Sequence, residues 1–591
     1  MNNRITYTYS AGGCSSCGDL GALASKTDAK GVLIEYEYDN RGRLDKILYP
    51  NDEFVTFTYD YNGNRLAMYD PRLNIENETF SWEYDDINRV TKETYPNTDY
   101  ITYTYNTFGA RSKMRLPNGS TQTYSYDSRQ RLSTIAHSLG NKTFTYSYNS
   151  DNTLKSIGYP NTMANRFTYD TLYRLINVSA VMYEEPEEMY YSIAYQYDVN
   201  GNRTRAAWDS DEGINTFLYT KNYNYYALNQ LTSEKKMNQA ETSRLYEYQY
   251  EFDDAGNRTK MKYYDGSITT TTNYHYNDAN QMWLRCKTYD YYYTYDENGN
   301  LTIDDSEGAG YTYDAMGRRI MRMDSSTNTY TMYYYDGLTV IAEKEQIGLV
   351  SWSWKRIFTN GPGVIGNIFR ISTWNGSSWS DAYYHYDAIG NVVMKSTSSG
   401  GPFSTFDQEA YGNVKIGSQS GYHLTTKEYD SSPELYYFWQ RWYDPLFGIF
   451  ISKTIVPPFY EHSYNSFKNN SLLFIDVNGM DPINNGIFKR KPKHNDSFER
   501  WKQLCDRLCG VAEYVGFPKV LSGFCKIYCW AGAIPKCPSV KLLDCKNRLT
   551  KCYDDCDKLY ELETGANDRC RGWCNLANRL CEEAVKEESK K

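Results

Sequence analysis

A tyrosine-rich repeat fills most of the chain. The stretch YTYDAMGRRI, residues 311–320, alternates aromatic and polar residues, continues into an Asp-x-x-Gly step and ends in two arginines. Near copies begin at Tyr36, Tyr103, Tyr195 and Tyr384. Alternation with a period of two predicts a strand with one apolar and one polar face, and the Asp-x-x-Gly step predicts a tight reversal. Each copy is therefore predicted to be a β-hairpin.

The copies recur at short intervals. The tyrosine that precedes the Asp or Asn of each copy occurs at Tyr38, Tyr59, Tyr84, Tyr105, Tyr126, Tyr148, Tyr169 and Tyr197, and again at Tyr276, Tyr295, Tyr313, Tyr335 and Tyr386. A recurring interval of this size is typical of stacked supersecondary units. We therefore expect a curved antiparallel sheet with most tyrosine rings on its inner face. About 450 residues are too few to close it, so the expected shell is open or partial.

The turn glycines and the abundance of tyrosine each suggest a physical role. Five glycines occupy the turn position that requires a positive φ: Gly63, Gly201, Gly299, Gly317 and Gly390. The 62 tyrosines allow two interpretations. A ring with a hydroxyl packs well and still tolerates solvent, as a sheet around a wet cavity requires. Alternatively, tyrosine simply supplies β-propensity and cross-strand aromatic pairs.

Charge and cysteine content both change near residue 482. Residues 1–482 have 43 Lys and Arg against 58 Asp and Glu, whereas residues 483–591 have 21 against 15. Only Cys14, Cys17 and Cys286 precede this point, and the other 11 cysteines follow residue 500. Such a joint change predicts a domain boundary. We expect a repeat sheet over residues 1–357, a closing segment over 358–482, a basic linker over 483–499 and a separate domain over 500–591.

The repeats resemble the YD repeats of the RHS proteins, which are related to toxin-complex C components and teneurins. The resemblance is sharpest in TNGPGVIGNIFR, residues 359–370, and in residues 441–482, which are similar to the RHS-associated core. It implies a hollow, spiralling β-hairpin shell that encloses a variable C-terminal domain, commonly a toxin. The implied function is encapsulation and presentation of an effector in a bacterial secreted toxin system. The implied partners are a cognate immunity protein and an upstream shell or delivery component.

The C-terminal segment shows a symmetric cysteine spacing. Six cysteines from Cys545 to Cys581 are separated by 7, 4, 14, 4 and 7 residues. On helices turning about 100° per residue, each set of three lies on one face. If the two helices are antiparallel, these cysteines face each other as three pairs. The upstream cysteines are predicted to form two more pairs in the same way. The expected pairs are Cys545–Cys581, Cys552–Cys574, Cys556–Cys570, Cys505–Cys529 and Cys509–Cys525.

These cysteines have two interpretations. Disulfides would give a small, all-α, disulfide-rich domain made for an oxidising compartment. A four-cysteine zinc site is the alternative, although it normally uses Cys-x-x-Cys pairs. We expect disulfides and no bound metal or cofactor. The states of Cys14, Cys17, Cys286 and Cys537 stay open.

Other motifs give weaker signals. The GPGVIG stretch (Gly361, Gly363, Gly366) matches a dinucleotide fingerprint only on paper, because no following helix is predicted and Pro362 interrupts it. His275 and His385 occupy polar positions of the repeat, so we expect both to be solvated. The acidic balance of residues 1–482 argues against nucleic-acid binding.

A second function is compatible with the same repeats. Aromatic sheets can also grip sugars, so the alternative is a cell-surface adhesion protein that binds glycans without toxin activity. Either function places the protein outside the cell or on its surface. The sequence shows no export signal and no apolar stretch long enough to span a membrane.

The resemblance also implies a self-cleaving core. In RHS proteins two aspartates act together, and the chain is cut just beyond the second. Asp476 occupies the second position, which predicts a cut near Met480 and Asp481. Thr454 occupies the first, and threonine does not ionise at working pH. Asp444 belongs to a separate RWYDP step and is not expected to substitute. We therefore expect impaired cleavage and an uncut chain.

Overall fold

Antiparallel pairing between strands that follow one another in the chain organises the fold. The computed structural model describes residues 6–9, 22–28, 31–73, 75, 77–183, 187–211, 218–226, 228–254, 256–274, 293–304, 308–348, 350–363, 366–452, 470–472, 474–476 and 482–484. Within these ranges the strands form sheets of 23, 11, 2, 5 and 2 strands, and none of the five is closed. The prediction of a mostly β fold with open antiparallel sheets is confirmed.

The first sheet contains strands β1 to β23. Their bounds are Thr6–Tyr9, Leu23–Thr27, Leu33–Tyr38, Leu44–Leu48, Phe54–Tyr59, Arg65–Tyr69, Thr79–Tyr84, Val90–Thr94, Tyr100–Tyr105, Arg111–Arg115, Thr121–Tyr126, Leu132–His137, Lys142–Tyr148, Leu154–Gly158, Met163–Tyr169, Leu175–Met182, Glu188–Tyr197, Arg203–Asp209, Tyr219–Tyr225, Leu231–Asn238, Arg244–Phe252, Arg258–Tyr264 and Thr269–Asn273. Two 3-10 helices, Pro50–Asp52 and Pro71–Leu73, lie in its loops.

The remaining strands build the other four sheets. The second sheet contains β24 to β34: Tyr293–Tyr295, Leu301–Asp304, Ala309–Tyr313, Arg319–Asp324, Thr329–Asp336, Thr339–Ile347, Ser353–Asn360, Ile368–Trp374, Trp379–Tyr386, Val392–Ser396 and Pro402–Thr405. A small pair follows: β35 (Asp407–Gln408) and β36 (Val414–Ile416). The closing sheet contains β37 to β41: Gly421–Tyr422, Glu428–Asp430, Leu435–Tyr437, Trp442–Asp444 and Ile449–Phe450. The 3-10 helix Leu424–Thr426 lies within it, and β42 (Phe474–Asp476) pairs with β43 (Pro482–Asn484).

The second sheet is a middle layer, covered on both faces. On one face, Tyr334 packs against Tyr95 of the loop after β8, with ring centroids 4.9 Å apart. On the other, Tyr311 packs against Trp442 of the closing sheet at 4.8 Å. Because both faces are covered, the consecutive residues Tyr333, Tyr334 and Tyr335 are all buried. The sheets meet through apolar contacts here, which fits close packing better than a wet interior.

The Asp of each repeat organises the turn, as its position predicts. In the first complete copy, the Asp39 Oδ1 atom accepts hydrogen bonds from the backbone N–H groups of Arg41 and Arg43, at 2.9 and 3.0 Å. Gly42 has a φ of 74°, and the register shifts at Tyr38. The Gly42 N–H also donates to the Asp39 carbonyl oxygen at 2.9 Å, so the step is a tight turn followed by a β-bulge that needs a left-handed residue. The five predicted turn glycines all have positive φ.

In ten of the hairpins the hydroxyl of the repeat tyrosine fastens the hairpin to the one before it. Tyr59 donates to the carbonyl oxygen of Leu44 at 2.8 Å, and Tyr105 donates to that of Val90 at 2.7 Å. The same bond, at 2.5–3.0 Å, is made by Tyr38, Tyr84, Tyr126, Tyr148, Tyr197, Tyr225, Tyr335 and Tyr386. Phenylalanine would fill the same space but leave a carbonyl oxygen without this donor. Tyrosine is therefore used for its hydroxyl as well as its ring.

An arginine after the turn adds a second link between hairpins. The Arg43 guanidinium lies 4.7 Å from the Tyr59 ring centroid and donates to the Asp60 carbonyl oxygen at 2.7 Å. Equivalent cation–π contacts join Arg89 to Tyr105, Arg131 to Tyr148 and Arg174 to Tyr197. Each such contact contributes roughly 0.5–1 kcal/mol at an exposed site. Each of these repeats thus supplies an arginine that links it to the next hairpin.

We expect Tyr105→Phe to lower the free energy of unfolding by about 1 kcal/mol, because one hydrogen bond to the Val90 carbonyl is lost. Urea denaturation followed by tyrosine and tryptophan fluorescence measures this change. Tyr61→Phe is the matched control, because the Tyr61 side chain lies at a turn tip and is 90% exposed. Equal destabilisation by the two substitutions would contradict the role assigned to the hydroxyl.

Candidate functional site

The carboxylate singled out by the sequence lies in a buried, cationic environment. Asp476 ends β42 and pairs across the ladder with Pro482. Its side chain is fully buried. The Nη2 atom of Arg441 lies 3.4 Å from the Asp476 Oδ2 atom. Asp476 is therefore part of a buried ion pair rather than an exposed turn residue.

Two cations flank this carboxylate, and both lie against aromatic rings. The Arg441 guanidinium is 3.6 Å from the Phe450 ring centroid, and the Lys427 ammonium is 5.6 Å from the Phe438 centroid. Burial lowers the pKa of Lys427 to about 8, and the charge of Asp476 partly offsets this effect. Neighbouring positive charge stabilises an ionised carboxylate. The arrangement suits a carboxylate that accepts hydrogen bonds from cationic donors.

The other residues of the predicted cleavage site have different outcomes. Thr454, Met480 and Asp481 lie outside the described residues. Asp444 is described, and its Oδ1 atom accepts hydrogen bonds from the backbone N–H groups of Leu446 and Phe447, at 2.9 and 3.2 Å. The Asp444 carboxylate thus organises its own turn, as the separate RWYDP step suggests.

The glycine-rich stretch forms a turn between β30 and β31. Gly361 donates its backbone N–H to the Asn367 carbonyl oxygen at 2.7 Å, and Gly366 donates to the Thr426 hydroxyl at 2.6 Å. The segment continues directly into strand β31 instead of the helix that a dinucleotide site requires. The stretch therefore lacks the strand–turn–helix arrangement on which a dinucleotide fingerprint depends.

The prediction that His385 is solvated is wrong. His385 is fully buried, with Nδ1 2.8 Å from the Asn165 Oδ1 atom and Nε2 2.8 Å from the Ser396 hydroxyl. The polar position of β32 faces the first sheet, because β32 belongs to the covered middle layer. His275 lies outside the described residues.

All cysteines lie outside the described residues, so the five pairings stay predictions. Among the described residues, no group of three or more His, Cys, Asp and Glu side chains could hold a metal ion. No helix in the described ranges combines the length and apolarity needed to cross a membrane.

A buried charged cluster between the first sheet and β35 was not predicted from the sequence. It contains Lys221, Glu234, Lys236 and Asp407, each at most 6% exposed. Lys221 and Lys236 each place Nζ 2.7 Å from an Asp407 oxygen. On an isolated strand the pattern of these residues predicts a solvent-exposed face. They are buried because the segment around Asp407 covers that face.

Comparisons with known proteins agree with this architecture. The family model of the teneurin YD-shell matches residues 56–181. The chain is 29% identical over 289 residues to the tRNA3(Ser)-specific nuclease WapA of Bacillus spizizenii, a match that covers 43% of this chain and 12% of that protein. The chain thus spans about an eighth of the length of this relative.

Solved structures give the same fold. A TcdB2-TccC3-Cdc42 crystal structure matches 78% of this chain and 27% of that one, at 17% identity and a TM-score of 0.66. The Tc holotoxin pore of Photorhabdus luminescens matches 80% of this chain and 27% of its own, again at 17% identity and a TM-score of 0.66. The fold and the repeated Asp-x-x-Gly hairpins define a YD-repeat shell protein. Residues 56–181 thus match the YD-shell family model, and the described residues share the fold of the Tc structures.

Proposed function

We propose that this chain is the shell part of a bacterial toxin-delivery protein, which encloses and presents the variable domain predicted over residues 500–591. The observation that carries the proposal is the order of elements along the chain. Strand β42, with its buried Asp476, follows the closing sheet and directly precedes the point where charge and cysteine content change. The shell fold shared with the Tc structures and the nuclease named among the relatives support a toxin system.

The proposed partners follow from the similarity to the Tc structures. The structures that share the shell fold contain TcdB2 together with TccC3. We therefore propose an upstream shell or delivery component as one partner, and an immunity protein for the C-terminal domain as another. Secretion or surface display is part of the same proposal.

Expression of separate segments in a bacterium tests the function. Residues 500–591 are expected to arrest growth when directed to the compartment in which they act, whereas residues 1–499 are expected to be harmless. Each segment is expressed in the cytoplasm and in the periplasm, and colony counts give the readout. A tail in which the ten paired cysteines are replaced by serine is the control for the disulfide prediction.

The opposite outcome favours the alternative function. A harmless tail in both compartments, together with binding of the repeats to a glycan array, would replace toxin delivery by adhesion. Burial of the rings supports delivery, because the largest fully buried side chains include eight tyrosines whose rings a sugar cannot reach. Glycan binding stays a hypothesis for the exposed rings, such as Tyr61 and Tyr226.

We also propose that the chain stays uncut after Asp476. A carboxylate pair can share a proton, so that one member acts as base and the other as acid. Thr454 supplies no second carboxylate, and Arg441 engages Asp476 in an ion pair. Freshly purified protein is expected to run as one band on a denaturing gel, without a tail fragment of about 110 residues.

A gain-of-function variant makes this prediction sharper. Thr454→Asp is expected to release the tail fragment, and the double variant with Asp476→Ala is expected to lose that fragment again. Thr454→Asn is the matched control, because it has a similar size but does not ionise. A fragment released by the unaltered chain and abolished by Asp476→Ala would overturn the prediction.

A further inference from the structure

We propose that Lys221 and Asp407 form an intramolecular amide bond that ties the first sheet to the segment covering it. The two side chains are already in contact, with Lys221 Nζ 2.7 Å from the Asp407 Oδ1 atom. Lys221 is on β19 and Asp407 begins β35, so the bond would join distant parts of the chain. Condensation of a lysine with an aspartate needs no cofactor and releases one water molecule.

A second carboxylate is in the position to move protons. The Glu234 Oε1 atom lies 3.4 Å from the Lys221 Nζ atom, so Lys221 contacts both carboxylates. Glu234 is held in place by the Tyr246 hydroxyl at 2.8 Å and by the backbone N–H of Ala410 at 2.5 Å. Burial raises the pKa of Glu234, which makes it a better proton acceptor.

A second lysine is in the position to stabilise the developing negative charge. The Lys236 Nζ atom lies 2.7 Å from the Asp407 Oδ2 atom and 3.6 Å from the Tyr219 ring centroid. A fixed ammonium at a carbonyl oxygen stabilises a tetrahedral oxyanion in a site from which water is excluded. Lys236 differs from Lys221 in that only Lys221 forms an ion pair with Glu234.

The reaction is balanced within the cluster. The Lys221 ammonium transfers one proton to Glu234, and the free amine attacks the Asp407 Cγ atom. The carbonyl electrons move onto Oδ2, beside Lys236, and return when the bond from Cγ to Oδ1 breaks. Oδ1 leaves as water with two of the three ammonium protons, which Glu234 relays, so Glu234 is regenerated. The product is an amide with one N–H, and its Oδ2 atom faces the Lys236 ammonium.

The surroundings favour this condensation. The four charged side chains are buried beside Trp208, Tyr219 and Phe406, so bulk water does not compete as a nucleophile. Holding the amine beside the carboxylate replaces a bimolecular encounter, which is worth several powers of ten in rate. Condensation also removes two buried charges, whose desolvation opposes folding. A neighbouring cavity of about 30 Å³ leaves room for the released water.

Before reaction the ion pairs hold the cluster charged. Although burial opposes it, Asp407 and Glu234 raise the pKa of Lys221. Lys221 and Lys236 lower the pKa of Asp407 against the same opposing effect of burial. The first step is therefore proton transfer from Lys221 to Glu234, and the reaction depends on that carboxylate.

Mass spectrometry of the purified full-length chain tests the proposal. After complete reduction and denaturation, the chain is expected to weigh one water molecule less than its sequence. A protease digest is expected to contain one branched peptide that joins Lys221 to Asp407. Lys260 and Glu251 are the control in the same sample, because they form an ion pair of similar length, 2.8 Å, that is exposed, and they are expected to stay unlinked.

Two variants separate the chemistry from simple contact. Glu234→Gln keeps the shape of the side chain but cannot relay protons, and it is expected to leave the chain unlinked. Asp407→Asn is expected to link with loss of ammonia in place of water and to give the same product mass as the unaltered chain. Unmodified Lys221 in the folded full-length chain would overturn the proposal, and a bond to Lys236 would overturn the assignment of roles.

Discussion

Lowering the pH from 7 to 5 is expected to destabilise the folded shell by about 2 kcal/mol for each of three buried histidines. Burial lowers the pKa of His137 and of His385 to about 3, and that of His423 to about 4. The ordinary histidine pKa is 6.5. At pH 5 the unfolded chain therefore binds protons that the folded chain does not bind, and the equilibrium shifts towards unfolding.

The hydrogen bonds of His385 explain why its ring does not bind a second proton in the folded state. Asn161 donates to the Ser396 hydroxyl at 3.0 Å, and Ser396 can then donate to His385 Nε2. His385 Nδ1 donates to the Asn165 Oδ1 atom, and the Asn165 amide donates to the Tyr159 hydroxyl at 3.2 Å. A proton on Nε2 would place two donors against each other in this chain. The neutral ring is thus selected by hydrogen bonding as well as burial.

A substitution of His385 separates the histidine contribution to the pH dependence of stability from that of the carboxylates. Burial raises the pKa of Glu343 to about 6, so this group gains its proton earlier in the folded state and acts in the opposite direction. The quantity to compare is therefore the change in unfolding free energy between pH 7 and pH 5, measured by urea denaturation in each variant. His385→Gln is expected to reduce that change by about 2 kcal/mol. An unchanged pH dependence would contradict the assignment.

The repeats made the hairpins predictable because their signals are local. Alternation sets the two faces of a strand, and the Asp-x-x-Gly step sets the reversal, so each hairpin depends on residues close in the sequence. Even the copies without glycine follow the rule, since Asn88 and Tyr173 have φ values of 65° and 62° at the same turn position. The turns of the repeat could therefore be predicted without knowledge of distant contacts.

The layering was not predictable, because it depends on which sheet covers which face. The repeat around His385 has the same pattern as copies whose polar face is exposed. Its burial results from the first sheet, more than 200 residues away, where Asn165 meets the ring. The charged cluster of Lys221 and Lys236 was missed for the same reason. A strand pattern specifies two faces but not their neighbours.

The candidate cleavage site was partly predictable. The resemblance singled out Asp476, and in the structure this residue is buried and forms an ion pair with Arg441. The contact with Arg441 could not be read from the sequence, because 35 residues separate the two. The cysteine pairings and Thr454 fall outside the described residues and stay predictions.

The second arginine of the YTYDAMGRRI stretch illustrates how a repeat position acquires a separate role. Arg318 fulfils the usual role, since its Nε atom donates to Asp314 at 2.7 Å. Arg319 is fully buried, and its guanidinium lies 4.2 Å from the Tyr333 ring centroid and 4.5 Å from that of Tyr437. It also forms an ion pair with Glu428 of the closing sheet. One buried cation thus joins the middle layer to the closing layer.

Arg319→Met is expected to lower the free energy of unfolding by about 3–5 kcal/mol, because it leaves Glu428 without its partner in a largely buried site. Urea denaturation measures the loss. Adding Glu428→Gln is expected to recover much of it, since the double variant removes the unpaired charge. Arg129→Met is the matched control, because Arg129 is exposed at a turn and its replacement is expected to change stability by less than about 0.5 kcal/mol. A double variant no more stable than Arg319→Met would show that the aromatic cage around the guanidinium, rather than the ion pair, joins the two layers.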